Sequence, residues 1–273
     1  MHFYNEHNNS DWLKINNMDL RKIQHSLDHE FNNLLFEGLF SNSNVYLLEE
    51  TLIQLASDSR VQKLVPQVAD RLEALYSARQ TGNTDKREDE LLDLYLLLHG
   101  AGSEYEPEEM NSFRASQGIA CLPGGILPLI LCSWFINPRS TVSDLGCGNG
   151  LQGLLLQVLF PHRKTVQVEL SGNLISTGKL YQHILGLDSE AISWFHNDIA
   201  DTDLSDIDLI YMYRPVRPSG QGAEVYRKIA EQLSGLTHTV TIISMADCLN
   251  DFLGNEFSIC YRNDFLTIFS SAN

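Results

Sequence analysis

The segment Ser143-Asp-Leu-Gly-Cys-Gly-Asn-Gly-Leu-Gln-Gly-Leu154 puts four glycines and one acid between a β-rich run and an apolar helical run. Glycines where a strand turns into a helix let a ligand approach the backbone, and the first helical amides point towards it. Two patterns overlap here. Gly148-x-Gly150-x-x-Gly153 spells the loop that seats a dinucleotide pyrophosphate, whereas Asp144-x-Gly146-x-Gly148-x-Gly150 begins four residues earlier and leads with a carboxylate. In the first register Asp144 lies beside the pyrophosphate, where like charges repel. In the second the carboxylate is an asset: it orients the loop amides and, directly or through water, meets a cationic amino-acid group. Gly153 is then explained by close packing of the helix on the sheet.

Two further acids end apolar runs downstream. Glu169 closes KTVQVEL at the spacing from which an acid accepts hydrogen bonds from ribose hydroxyls, a placement that serves either register. Asp198 closes WFHNDI, and the apolar run DIDLIYMY is followed by Arg214-Pro215-Val216. The histidines carry less. His196 reads as a packing or solvent-facing residue, and His25 and His29, at i and i+4 with no third ligand nearby, read as one face of a helix. The five cysteines are widely spaced without a CxxC pair, which argues against a zinc site or a disulfide framework and for a reduced, intracellular protein.

The elements that position these residues are alternating strands and helices. From Ser140 onward TVSDL, LQGLLLQVLF, KTVQVEL, SGNLISTGKLYQHIL, AISWFHNDI, DIDLIYMY, AEVYRKIAEQL and TVTIISM predict a doubly wound, mostly parallel α/β sheet. EFSICYR and FLTIFSS, separated by Asn263-Asp264, predict a closing antiparallel hairpin. The first hundred residues read as amphipathic helices, beginning with Met18–Phe40, with a break at Pro66, a solvated loop over Gln80–Glu90 and a helix stop at Gly100. YEPEEMNSFRASQG reads as a mixed loop. Ala115–Pro138 is uncharged and nearly long enough to span a membrane, but Pro123, Gly124, Gly125 and Pro128 interrupt it, so a buried helix entered through the Pro-Gly-Gly turn is expected. The organisation expected is a helical region over 1–103, a lid and lead-in helix over 104–139, and a ligand-binding domain over 140–273. A net charge of −16 speaks against nucleic acid as a partner and suits a cationic ligand. The start MHFYNEHNNSDW has no secretory pattern, and a cytoplasmic location is the default.

From about Gly118 to the C-terminus, the acid-led alternating glycines, Glu169, Asp198, the Asp-Leu-Ile opening of the fourth strand and the closing hairpin together resemble the class I S-adenosylmethionine-dependent methyltransferases. The resemblance implies a seven-stranded sheet, S-adenosylmethionine as cofactor and S-adenosylhomocysteine as product. It implies cofactor contacts from Asp144, Gly146, Cys147, Gly148 and Asn149 in the loop, from Glu169 and Leu170 after the second strand, from Asp198 and Ile199 at the adenine, and from Tyr211. Tyr105, Phe113 and Arg114 belong to the segment that closes over the cofactor in this family, Arg114 being suited to its carboxylate. Tyr213 and Arg214 are the candidates for acceptor binding; no catalytic residue and no metal is assigned. Where amino-methylating enzymes carry Asn or Asp followed by Pro-Pro-Tyr or Phe, this chain has Tyr213-Arg214-Pro215-Val216, which puts methylation of bases in doubt. The expected acceptor is a small molecule ahead of a protein, and the N-terminal helices are expected to cap the cleft, select the acceptor or form a homodimer surface. The competing readings are an NAD(P)-dependent oxidoreductase, an aminopropyl transferase and a catalytically silent cofactor-binding module.

Overall fold

The computed structural model describes residues 42–102, 105–119, 124–246, 248–263 and 265–271. The helix expected at Met18–Phe40, with His25 and His29, lies outside them. Four helices lead: α1 (Asn42–Ser57), α2 (Ser59–Leu64), α3 (Gln67–Thr81) and α4 (Thr84–His99). Asp58 caps α2 by accepting the Arg60 amide at 2.8 Å, and Val65-Pro66 makes the expected break before α3.

The loop expected over Gln80–Glu90 is a two-residue turn. Gly82 takes a left-handed φ of 67°, the Asn83 side chain accepts the Lys86 amide at 3.0 Å, and the charge run forms the first turns of α4. Those charges face inward as well as outward. Glu49 of α1 is fully buried and accepts from Nε of Arg79 at 2.8 Å and from Nε of Arg87 at 2.9 Å, so residues that read as a solvated run tie α1, α3 and α4 together. Burial alone raises the Glu49 carboxyl; the Arg87 and Arg79 guanidiniums reverse this and hold it below its ordinary value.

The mixed loop expected at YEPEEMNSFRASQG also contains a helix, α5 (Pro107–Ala115). Pro107 opens it, and the Glu109 side chain reaches back to accept the Glu106 amide at 2.9 Å. Among its described residues the apolar segment after it forms the short helix α6 (Leu127–Cys132); no helix among the described residues is long and apolar enough to cross a membrane.

The rest alternates as expected: β1 (Thr141–Leu145), α7 (Leu151–Leu159), β2 (Lys164–Glu169), α8 (Gly172–Ile184), β3 (Ile192–His196), β4 (Leu209–Tyr213), α9 (Gly220–Ser234), β5 (Thr241–Met245), β6 (Phe257–Arg262) and β7 (Leu266–Ser271). The seven-stranded sheet has the order β3-β2-β1-β4-β5-β7-β6. Strands β1 to β5 are parallel and β7 runs antiparallel to both neighbours. The chain is therefore a doubly wound α/β protein with a closing antiparallel hairpin. Alternate residues of each central strand enter different cores. Val142, Leu209, Tyr211 and Ile243 pack with α7, α8 and the leading helices, while Leu145, Ile210, Met212 and Ile242 pack under α9. The helical region thus shares one core with one face of the sheet.

A polar tie fixes the same contact. The side-chain amide of Asn149, expected among the cofactor contacts, is turned away from the loop's open face and fully buried. Its Nδ2 lies 2.7 Å from the Leu98 carbonyl, 3.0 Å from that of His99 and 3.1 Å from that of Ala101, capping the carboxyl end of α4. The Tyr181 hydroxyl of α8 donates to the Leu98 carbonyl at 2.9 Å, and the Tyr95 hydroxyl of α4 donates to Gln152 Oε1 of α7 at 2.9 Å. Asn149→Ala removes the side-chain donor shared by the Leu98, His99 and Ala101 carbonyls, of which Leu98 alone keeps the Tyr181 hydroxyl, and is expected to lower unfolding stability by about 2 kcal/mol. Urea denaturation checks this; an unchanged midpoint would show that the amide ties nothing.

Candidate functional site

Strand order reverses at β1, between β2 and β4, and the cleft opens there beyond the carboxyl ends of the strands. Asp144, Gly146, Cys147, Gly148, Glu169, Leu170, Asp198, Ile199, Tyr211 and Tyr213 line it, with Tyr105 and Phe113 from the α5 segment. Of the other residues singled out from the sequence, Asn149 holds α4, Arg114 is exposed on α5 away from the walls, and Arg214 stands just beyond them. His99, Gln152, Ile119, Asn197 and Pro215 also line the cleft and were not anticipated. His99 reads in the sequence only as the residue before a helix-stopping glycine.

The glycine loop is held from behind. The amides of Gly146 and Cys147 both donate to the Val168 carbonyl, at 2.9 and 3.0 Å, and the Gly150 amide donates to the Cys147 carbonyl at 2.8 Å. Gly146 has a φ of 76°, and a Cβ there would stand 2.8 Å from Cβ of Pro215, so only glycine fits between this turn and the β4 exit. A Cβ on Gly153 would lie 2.3 Å from Nε2 of Gln167 in β2, which is the close helix-on-sheet packing expected of it.

Glu169, and not Asp144, orients the loop amides. Its Oε2 accepts the Gly148 amide at 2.9 Å, while Oε1 accepts the amides of Leu170 and Ser171 at 2.8 and 3.0 Å. Oε1 is thereby filled by two amides, while Oε2, with one, keeps lone-pair capacity for a ligand hydroxyl. Asp198 caps the turn at Ile199–Asp201, its Oδ1 accepting the Ala200 amide at 2.9 Å. The Asp144 carboxylate lies deeper: Oδ2 is buried without a hydrogen-bond partner, as is the hydroxyl of Tyr211, its partner in the β1–β4 register. Burial, and then the neighbouring Glu169 carboxylate, push the Asp144 carboxyl up to about 8.

Among the described residues the walls hold three carboxylates, Asp144, Glu169 and Asp198, and neither Lys nor Arg. Burial pushes His99 down to about 4, so it is neutral near pH 7. On the open side, α5 is latched to the start of α8. Glu109 Oε1 accepts the Gly172 amide at 2.7 Å and lies 3.2 Å from Nε2 of His196, and Asn173 donates to Glu106 at 3.2 Å. This latch brings Tyr105 and Phe113, with ring centroids 4.8 Å apart, over the cleft. Among the described residues no group of three or more His, Cys, Asp or Glu is placed to hold a metal ion.

No protein-family model and no curated protein matches the sequence. Among solved structures the chain is similar to an RNA methyltransferase from Salinibacter ruber in complex with S-adenosyl-L-homocysteine, at 14% identity over 53% of this chain and 86% of that one, with a TM-score of 0.40. It is also similar to an rRNA methylase from Streptococcus thermophilus, at 14% identity over 54% of this chain and 95% of that one, with a TM-score of 0.42. At these scores the likeness adds nothing to the strand order itself.

The buried acid has a measurable consequence. A carboxyl whose pKa rises from 3.8 to about 8 on folding contributes stability that is complete below pH 4 and is lost as pH rises to 8. Asp144→Asn removes the titration while keeping the shape. Its stability should match the wild type near pH 4 and exceed it increasingly up to pH 8, reaching a difference of roughly 2–4 kcal/mol before levelling off. Thermal or urea unfolding across that range checks this; parallel pH profiles for the two proteins would refute the burial of a protonated Asp144.

Proposed function

We propose that this chain is an S-adenosylmethionine-dependent methyltransferase. One observation carries the reading: a cleft whose described walls hold three carboxylates and no Lys or Arg, above a glycine loop, in which Asp144 Oδ2 and the Tyr211 hydroxyl are buried and unpartnered. That donor and acceptor set fits a ligand with an ammonium and a sulfonium and no phosphate. It does not fit the pyrophosphate of NAD. Each phosphate charge about 5 Å from a cleft carboxylate costs about 3 kcal/mol at an effective dielectric of 20, with no cation in the walls to offset it.

In this reading Asp144 holds the amino group of the cofactor's methionine part, Glu169 takes the ribose hydroxyls beside Leu170, and Asp198 with the Ile199 amide recognises the adenine. When bound, the cofactor supplies a methyl group activated by its sulfonium. What the chain must do is positional. Its residues align an acceptor with the methyl and keep water out, because an in-line displacement needs orientation more than covalent machinery. The latched α5, with Tyr105 and Phe113, excludes water from the open side. The helical region caps the cleft and contributes His99 to it. Tyr213 faces the acceptor from the end of β4. A cleft roofed on these sides favours a small-molecule acceptor.

Isothermal titration calorimetry with S-adenosylmethionine, S-adenosylhomocysteine and NAD tests the proposal. The first two should bind and NAD should not. Because Asp144 is largely protonated in the free protein below pH 8 and must ionise to meet an ammonium, binding at pH 7 should release a proton. The affinity should rise by up to about tenfold per pH unit and flatten above pH 8. Asp144→Asn should weaken binding at least about 100-fold, the cost of removing a buried charge partner. Heat with NAD and none with S-adenosylmethionine or S-adenosylhomocysteine would overturn the reading.

A further inference from the structure

Beyond Tyr213 the chain leaves β4 in an unusual way. Arg214 has a φ of 36°, a left-handed conformation that long side chains rarely adopt. Its neighbour across the sheet exit, Ala246, has a φ of 60°; the two directly follow the paired residues Tyr213 and Met245. The third non-glycine residue with positive φ among those described is Gln117, at 58°. Gln117 lies in the segment paired against the same exit: the Arg217 amide donates to its carbonyl at 3.1 Å, and the Ile119 amide donates to the Pro215 carbonyl at 2.8 Å. All three strained residues therefore gather around one short stretch, Arg214–Arg217, next to the cleft. Strain of this kind persists where the surroundings enforce it and is concentrated at binding sites.

The polar groups there are also unspent. Nε of Arg214 and Oε1 of Gln117 are buried without a hydrogen-bond partner, and among the described residues no carboxylate pairs with the Arg214 guanidinium. Yet the chain has 35 acids against 19 Lys and Arg, so carboxylates are plentiful. A half-buried guanidinium, unpaired among the described residues, on a residue whose neighbours Tyr213 and Pro215 line the cleft is an anchor for a negative group. Its planar fork bonds the oxygens of carboxylate and phosphate alike.

We propose that Arg214, held in strain at the exit of β4, binds an anionic group, a carboxylate or a phosphate, on the methyl acceptor. The inference rests on the reading of the adjoining cleft as the methyl-transfer site and names the class of acceptor that site takes. An acceptor anchored there extends back past Tyr213 into the cleft.

Nitrogen-15 spectra of the arginine Nε–H groups of the full chain, titrated with sodium phosphate or sodium acetate against sodium chloride at matched ionic strength, test this directly. The Arg214 signal, identified by its loss in Arg214→Lys, should move and saturate in the millimolar range with at least one of the two anions and not with chloride. A response to acetate alone assigns a carboxylate acceptor, and a response to phosphate alone a phosphate ester. Arg214→Gln should weaken that anion at least tenfold while S-adenosylhomocysteine affinity, measured by calorimetry, stays within twofold. No saturable shift with either anion, or an equal shift with chloride, would overturn the proposal. Anion binding at Arg214 in a protein that fails to bind S-adenosylhomocysteine would leave the anion site standing and remove the methyl-transfer reading instead.

Discussion

The loop between β1 and α7 must turn through left-handed backbone within reach of a ligand and still leave none of its polar groups loose. It meets that requirement by leaning on its neighbours. The Val168 carbonyl takes two of its amides, Glu169 a third, and the Asn149 side chain reaches away to close the end of α4. Everything around the cleft follows from this. The β2 strand must end in an acid, the β4 exit must place Pro215 against Gly146, and the helical region cannot separate from the sheet without uncapping α4.

Because the amides of Gly146, Cys147 and Gly148 are already engaged, the Asp144 carboxylate has only the Gly153 amide of α7, and its Oδ2 has no partner. Burying it there costs free energy in the empty protein, and Glu169 adds repulsion to the cost of desolvation. Among the described residues no Lys or Arg of the cleft offsets it. The protein thus holds a site less stable than its own fold would otherwise allow, in the sense that stability and binding pull the same residue towards different chemical forms.

Each strand was legible in the sequence to within about three residues at either end, because apolar runs between turn residues leave little choice of partner. The cleft acids were legible too, since position at a strand's end determines where an acid points. What escaped notice depends on contacts remote in sequence. The charge run before Glu90 reads as solvated because nothing local shows that Arg87 will meet Glu49, 38 residues away. Likewise α5 follows a glutamate, which is not among the favoured caps, so its start shows locally only in Pro107 at the first helical position and in the reciprocal bond from Glu109. Asn149 looked like a ligand contact because loop position is local, whereas its partners at the end of α4 are about 50 residues earlier. Arg214 was legible as a candidate by its place after β4; its left-handed backbone was not, since no local pattern asks an arginine for it.

The helical region is best understood from the same geometry. Were it a separate module, its contact with the sheet would be polar and shallow, as contacts between domains within a chain usually are. Instead Leu48, Leu52, Leu94 and Leu98 are fully buried in one core with Leu151, Leu155 and Tyr181. The carboxyl end of α4 is then fixed by a side chain from the ligand loop itself, and His99, one residue beyond Leu98, is carried into the cleft wall. The glycine loop thus contacts α4 through Asn149, and α4 contacts the cleft through His99. The two halves share one mechanical unit, and the composition of the cleft is set as much by where a helix ends as by where the strands do.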